Sequence, residues 1–431
     1  MKRATWKRPS WKTVVGAVVA TFLVVVIGLN FVGSEKHVLA TPTHAYGVRD
    51  PVFERVVGSL LGPPIVSGNR VGTLVNGDEI FPAMLGAIRT AEHTIEFETY
   101  IYWSGETGRT FARAIAERAK AGVEAHVLID WVGSQSMDDE ALDLMRDAGA
   151  RVEIYHPLRW YTLARLNNRT HRKLLVVDGR VAFTGGVGIA DEWTGHAQDP
   201  SHWRDTHFRV EGPVVAQMQA AFEDNWIKVT GEVDHEPRYF PAIEPLDPGV
   251  DAQMFLSSPA GGSENMEIMY LLAIAAAERS ILLEAAYFIP DDRTVEALLQ
   301  ARRRGVRVEV IVPGPVNDAK VTRYASRNQW GMLLTAGVTI HEFQPTMFHC
   351  KVLVVDGYFT SVGSTNFDER SFRLNDEASL NVFDPTFAAR QEELFEQDRA
   401  RSEPYTLAKW QARGLRERAY EALASWLSSQ L

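Results

Sequence analysis

His349-Cys350-Lys351-Val352-Leu353-Val354-Val355-Asp356-Gly357 is the stretch on which the fold turns, because the chain writes it twice. His171-Arg172-Lys173-Leu174-Leu175-Val176-Val177-Asp178-Gly179 is the same pattern 178 positions earlier. In each copy a histidine and a lysine flank one residue, an apolar run follows, and an Asp-Gly pair closes the segment. A short, valine-rich apolar run bounded by a turn signal reads as a buried strand. Side chains alternate along a strand, so His171 and Lys173 share one face, as do His349 and Lys351. Arg172 and Cys350 point the other way. Asp178 and Asp356 fall on the opposite parity and precede glycine, which predicts tight hairpin turns into Val181-Ala182-Phe183 and Tyr358-Phe359-Thr360. Both aspartates are read as turn and scaffold residues.

The repeat extends upstream, and self-similarity of this kind bears on the whole fold. Ile95-Glu96-Phe97-Glu98-Thr99-Tyr100-Ile101 precedes the first copy, followed by a helical stretch ending at Gly122-Val123 and then His126-Val127-Leu128-Ile129-Asp130. Ile281-Leu282-Leu283-Glu284-Ala285-Ala286-Tyr287-Phe288-Ile289, a helical stretch ending at Gly305-Val306, and Val308-Glu309-Val310-Ile311-Val312 precede the second. Apolar β-branched runs alternating with helical patterns predict an α/β fold, a mixed sheet with helices on its faces. Two such halves, residues 65–245 and 250–431, are expected to dock about a pseudo-twofold axis. Pro241 to Asp251 is their connection, and the active site lies at their interface.

One site built from both copies sets two imidazoles and two ammonium groups against a single anion. That set suits phosphodiester chemistry without a metal. Histidine, with an ordinary pKa near 6.5, can serve as nucleophile or as proton carrier. Lys173 and Lys351 would hold the non-bridging oxygens. The single cysteine, Cys350, excludes an intramolecular disulfide, and no Cys/His cluster has zinc spacing. No metal or cofactor is therefore expected. His196, His202 and His207 are read as loop histidines. A net charge of −10 counts against a nucleic-acid partner.

The motif pair resembles the phospholipase D superfamily, in which H-x-K-x4-D is followed six residues later by G-[GS]-x-N. Gly363-Ser364-Thr365-Asn366 fits this element completely, and Gly185-Gly186-Val187-Gly188 fits except for Gly188 in place of asparagine. The resemblance implies His171 as nucleophile and His349 as acid and base, through a phosphohistidine. It also implies an orienting carboxylate some 25–35 positions after each histidine. Asp205, 34 after His171, and Glu377, 28 after His349, fill that role. Asn366, Ser364 and Gly186 are expected at the bound phosphate, and Gly188 makes the site asymmetric. Thr170-His171-Arg172-Lys173, Trp203-Arg204-Asp205-Thr206-His207 and Asp368-Glu369-Arg370-Ser371-Phe372 look like the bacterial cardiolipin synthase-like group. Members of that group move a phosphatidyl group from phosphatidylglycerol to a second lipid alcohol. Hydrolysis to phosphatidic acid is the alternative outcome, with endonuclease or non-catalytic lipid binding behind it.

Val14 to Val32 carries no charge, and Lys2, Arg3, Lys7, Arg8 and Lys12 precede it. Residues 1–12 are thus expected as a cytoplasmic basic tail and 13–34 as a single-pass transmembrane helix in the cell membrane. The catalytic body falls on the non-cytoplasmic side. A cleaved signal peptide, ending near Ala40 or Ala45, is the alternative. Pro157 to Arg169, with interleaved arginines and aromatics, suits a lipid interface or a plain loop. Leu415, Ala419, Leu423, Trp426 and Leu427 form a stripe at the C-terminus, expected to pack onto its own domain.

Overall fold

The computed structural model describes residues 10–29, 38, 40–159, 167–258 and 265–425. The first half carries β1 (Val66–Val75), β2 (Thr94–Thr99), β3 (Glu124–Asp130), β4 (Arg151–Tyr155), β5 (Leu174–Val177), β6 (Val181–Gly185) and β7 (Thr206–Glu211). The second carries β8 (Val250–Ser257), β9 (Ser280–Ala285), β10 (Phe288–Ile289), β11 (Arg307–Pro313) and β12 (Thr339–Phe343). It continues with β13 (Lys351–Val355), β14 (Phe359–Gly363), β15 (Phe367–Asp368), β16 (Glu377–Phe383) and β17 (Ser402–Pro404). Hydrogen bonding orders the first set β1-β7-β6-β5-β2-β3-β4 and the second β8-β16-β14-β13-β9-β11-β12-β17. With β16 standing for β7, the two orders match strand for strand up to the edge.

Strands β2, β3 and β4 run parallel, as do β9, β11 and β12, while the motif strands pair antiparallel with their neighbours. The fold is mixed α/β with two repeated halves, as the repeat implies. The sequence did not indicate that the two sheets are continuous. β1 pairs antiparallel with β8, at Val66–Ala252 and Asn69–Val250, joining fifteen strands of the described residues into one sheet.

Both motif strands are buried at every position because both faces are covered, which is why they read as unbroken apolar runs. Leu175 and Val177 join Phe97, Phe111 and Phe183 in the first half's own core, and Leu353 and Val355 do the same in the second. Leu174 and Val176 face the other way and share one core with Val352, Val354 and Leu380 of the second half. Each such side chain contributes about 1.5–3 kcal/mol on burial. The same strands that carry the chemistry therefore hold the halves together.

Each motif strand ends in a turn with two consecutive left-handed residues, Asp178 (φ 53°) with Gly179 (φ 60°) and Asp356 (φ 54°) with Gly357 (φ 58°). This is the hairpin geometry that Asp-Gly favours. The Asp178 carboxylate accepts from the amides of Glu92, His93 and Thr94 at the head of β2. Asp356 accepts from those of Glu278, Arg279 and Ser280 at the head of β9, each at 2.8 Å. Both carboxylates are spent on scaffold.

The expected span falls on the helix Trp11–Leu29. Its charge-free part begins at Thr13 and covers about 25 Å at 1.5 Å per residue, short of a hydrocarbon core of about 30 Å. Among the described residues no helix is long and apolar enough to cross a membrane. Residues 1–9 and 30–37, which hold most of the charged flanks and the end of the apolar stretch, lie outside the described residues. So do 160–166 of the arginine–aromatic segment, and Trp426 and Leu427. Arg169, from the same segment, is buried rather than offered to lipid, donating to His156 O at 2.9 Å.

The C-terminal stripe is a correction. Leu415 is 84% and Leu423 59% exposed, while Glu421 and Ala424 face the domain. The small Ala424 allows close approach to Ala325 and Ile289, and Glu421 pairs with Arg413. Packing is made by the narrow face of the helix.

Candidate active site

Each histidine is brought to its site by a backbone link across the two halves. Thr170 bridges Asp376, with His171 N donating to Asp376 O and Asp376 N to Arg169 O, both at 2.9 Å. Arg204 bridges Phe348, with Arg204 N donating to Met347 O and His349 N to Arg204 O at 2.9 and 2.8 Å. The approach to each histidine thus runs beside the approach to a carboxylate of the other half.

The carboxylates consequently cross over. His171 Nδ1 lies 3.0 and 3.1 Å from the two oxygens of Glu377. His349 Nδ1 lies 2.8 Å from Asp205 Oδ2. Each imidazole is fixed through Nδ1, which leaves Nε2 as the working nitrogen. His171, Lys173, His349 and Asn366 line one cavity of about 310 Å³, so both motifs open onto a single space. The lysine ammoniums curl back alike: Lys173 Nζ donates to His171 O at 2.9 Å and Lys351 Nζ to His349 O at 2.6 Å. Lys351 Nζ also lies 3.0–3.1 Å from the His349 ring nitrogens.

Burial strips protons from the basic groups, since a charge is costly away from water. It pulls His171 down to about 4 against the attraction of Glu377, and Lys173 down to about 7 with the help of the Lys351 charge. His349 is lowered by burial and by Lys351, and Lys351 by burial. Burial pushes Asp205 and Glu377 up, but His349 beside the one and His171 beside the other hold both below the ordinary range. The site is a pair of carboxylates behind imidazoles and lysine amines whose charged forms burial disfavours, and an entering anion favours their taking up protons.

The remaining motif positions divide unexpectedly. Asn366 lines the cavity with Oδ1 buried and without a hydrogen-bond partner among the described residues. Ser364, expected at phosphate, instead stands behind Glu377, donating to Oε2 and accepting from Ala378 N at 3.1 Å. Gly186 is not among the residues lining that cavity, and its N–H donates to Thr206 O at 3.2 Å. A Cβ there would lie 2.2 Å from Asp205 Oδ1, so the missing side chain is room for the carboxylate. At Gly188 a Cβ would lie 2.8 Å from Ile101 Cβ and 3.2 Å from the Trp193 ring. Trp193 fills the space an asparagine would need, and its Nε1 donates to Asp205 Oδ2 at 2.9 Å.

Sequence reasoning missed the rest of the wall: Tyr100, Tyr287, Asp318, Asp368, Arg370 and Asn375. A signal existed for the tyrosines, since one follows each repeated strand closely: Tyr100 two residues after Glu98, and Tyr287 three after Glu284. Tyr100 meets the His171 ring edge to face at 5.2 Å. Behind the second motif, Glu284, Cys350 and Asp398 bring three potential ligand atoms within 4.8 Å. That group does not suit a cation, because the Arg204 guanidinium forks onto both Asp398 oxygens at 3.0 and 2.6 Å.

The profile of the family described as "Cardiolipin synthase, PLD-like domain" matches residues 84–226 and 270–399. Cardiolipin synthase A of Pseudomonas fluorescens is 36% identical over 340 residues, covering 79% of this chain and 70% of that protein. The major cardiolipin synthase of Bacillus subtilis is 33% identical over 363 residues, covering 84% and 75%. Among solved structures, a phosphatidylserine synthase of Haemophilus influenzae superposes with a TM-score of 0.68 at 16% identity, covering 88% of this chain and all of that one, which speaks to the fold. With both halves matched and a third of the aligned residues identical over most of the chain, the protein belongs to the cardiolipin synthase family of phospholipase D-like proteins.

Proposed function

We propose that the protein is a phosphatidyltransferase of the cardiolipin synthase kind, with 65–245 and 250–431 as the halves of one catalytic unit. The observation that carries this reading is the pair of carboxylate-held histidines opening onto one cavity with lysines beside them. His171, neutral at ordinary pH, attacks the phosphorus of phosphatidylglycerol through Nε2. The P–O bond to the headgroup breaks, and His349, which enters this step as an imidazolium held between Asp205 and the incoming anion, gives its Nε2 proton to the departing glycerol and is left neutral. A second alcohol then enters, gives its proton to His349 and attacks the phosphorus, and His171 leaves with its electron pair. Lys173, Lys351 and Asn366 hold the non-bridging oxygens as charge builds there. Glu377 and Asp205 keep each ring in the useful tautomer.

The apolar N-terminal segment that includes the helix Trp11–Leu29 serves in this reading as a membrane anchor with the body outside the cytoplasm. Holding the body at the bilayer raises the effective concentration of a lipid alcohol over water. The test is incubation of the purified full chain with phosphatidylglycerol vesicles and mass spectrometry of the products. Cardiolipin and glycerol in equal amounts are expected. Phosphatidic acid alone, at every lipid density, would make the protein a hydrolase.

A further inference from the structure

The cavity is chemically two-sided. One side holds the motif histidines and Lys173, with Lys351 behind His349. The other belongs to the second half and presents oxygen atoms: Asp318 on the loop before the helix Lys320–Thr335, Asp368 on β15, and Asn375 just before β16. Asn375 is 5% and Asp368 1% exposed. The Oδ1 atoms of Asn375 and Asn366 are buried with no hydrogen-bond partner among the described residues. Buried acceptors normally have donors, and a pair without them beside a reaction centre calls for donors brought by a ligand. The anionic phosphate oxygens cannot supply them, and they already have the lysines.

Two kinds of headgroup bring donors, a hydroxylated one and an ammonium. The wall favours hydroxyls. Arg370 forms part of it and repels a cation. An Asp318 oxygen already accepts from the Tyr287 hydroxyl at 2.5 Å. Burial pushes the Asp368 carboxyl up to about 7, which weakens it as a counter-ion and lets it both accept from and donate to an alcohol.

We infer that Asn375, Asp368 and Asp318, with Asn366 Oδ1, form a subsite that reads the hydroxyl groups of a polyhydroxy alcohol, so that a glycerol-type alcohol is selected over a monohydroxy alcohol or an amino alcohol of similar size. The inference rests on the transfer reading above and assigns the residues that choose the alcohol. Among the described residues of the first half, Trp193 and Ile101 close the corresponding space beside Gly188.

The experiment reads a partition ratio, which isolates the choice of alcohol from the speed of the first step. The full chain receives a phosphatidyl donor ending in p-nitrophenol, so that the phosphatidyl-enzyme forms without any polyol leaving group. Equal concentrations of glycerol, 1-propanol and ethanolamine are offered, and the transfer products are counted by mass spectrometry. The wild type is expected to favour glycerol over each competitor by about tenfold or more, since a site built for hydroxyls leaves its acceptors unpaired with anything else. Asn375→Leu and Asp368→Asn should each cut that ratio severalfold, and Asn375→Asp, which keeps an acceptor, should restore it. A purely structural role for Asn375, through its contact with Glu377 at 3.4 Å, would slow all three products and leave the ratio unmoved. An unmoved ratio, or a wild type without preference, overturns the inference. No nitrophenolate release, or release with phosphatidic acid as the sole product, overturns the transfer reading beneath it, and the presence or absence of transfer products tells the two failures apart.

Discussion

Behind His171 stands the longer acid, Glu377, steadied by a serine hydroxyl. Behind His349 stands the shorter one, Asp205, steadied by the Trp193 indole, with Gly186 at the place corresponding to Ser364. The rings differ as well: Tyr100 meets His171, whereas Trp193 and Trp203 flank His349 at 5.2 and 5.8 Å. Two copies of one motif have thus kept their chemistry and exchanged their supports. The loss of asparagine at Gly188 belongs to that exchange, since the same tryptophan that holds Asp205 occupies the vacated space.

The comparison can be broken most directly at the histidines. His171→Asn and His349→Asn should each reduce turnover by about 10³ or more, as removing either half of a nucleophile–acid pair does. With a donor whose leaving group needs no proton, His349→Asn should accumulate phosphate on residue 171. Peptide mass spectrometry finding it on residue 349 in His171→Asn instead would exchange the roles of the halves.

The crossing comes next. Glu377→Gln and Asp205→Asn should each cost on the order of 10²–10⁴ in kcat by freeing the wrong tautomer. In the His349→Asn background, the rate of labelling at His171 should fall more for Glu377→Gln than for Asp205→Asn. The reverse order would mean that each half serves its own histidine. Ser364→Ala removes one hydrogen bond to a charged group, worth about 1.5–3 kcal/mol, and should slow turnover roughly 10- to 100-fold. Gly186→Ala forces Asp205 aside and should cost at least as much, with the effect confined to steps that use His349.

The pH profile sharpens the lysine side. The folded pKa of Lys173 lies at about 7, below its ordinary value, so its positive charge is present below that pH and lost as pH rises through it. kcat/KM should therefore fall by about tenfold per unit above this point. The bound anion holds the proton on, so the same limb in kcat should lie higher. Lys173→Arg should remove the limb from kcat/KM. The smallest effect on catalysis is expected at the turns. Asp178→Asn and Asp356→Asn should each lower stability by about 1–3 kcal/mol, in equal measure, with folded protein keeping most of its rate. Unequal losses of melting temperature would show that the matching turns bear unequal loads.

The parts of this site legible in the sequence are the local ones. Strand parity placed His171 with Lys173 and His349 with Lys351, and Asp-Gly gave the turns, because both follow from neighbours in the chain. Spacing also found Asp205 and Glu377, but not their partners, since the pairing is made by backbone bridges such as Thr170–Asp376 that join residues some 200 positions apart. Ser364 carried the family pattern and still went to a different task, which only the position of Glu377 reveals. Asn375 stands two residues before Glu377 where the first half has Trp203 two before Asp205, and Asp318 lies on the loop after β11, so the matching of the halves did not mark either residue. The C-terminal stripe misled for another reason: apolar spacing says which face is greasy, whereas packing was decided by which face is small enough to approach a neighbouring helix.

The crossed carboxylates have a consequence for how such a protein can change over generations. A chain with only one half would reach a working site by meeting a second copy of itself, and then both histidines would be served by the same acid in the same setting. Any substitution that suited the attacking histidine would be imposed on the proton carrier too. Fusing the copies lifts that constraint while the crossing prevents either half from drifting into independence. Glutamate with serine on one side and aspartate with tryptophan on the other is the pattern such a history leaves: two inheritances from one ancestor, each tuned to a separate task and neither able to work without its sibling.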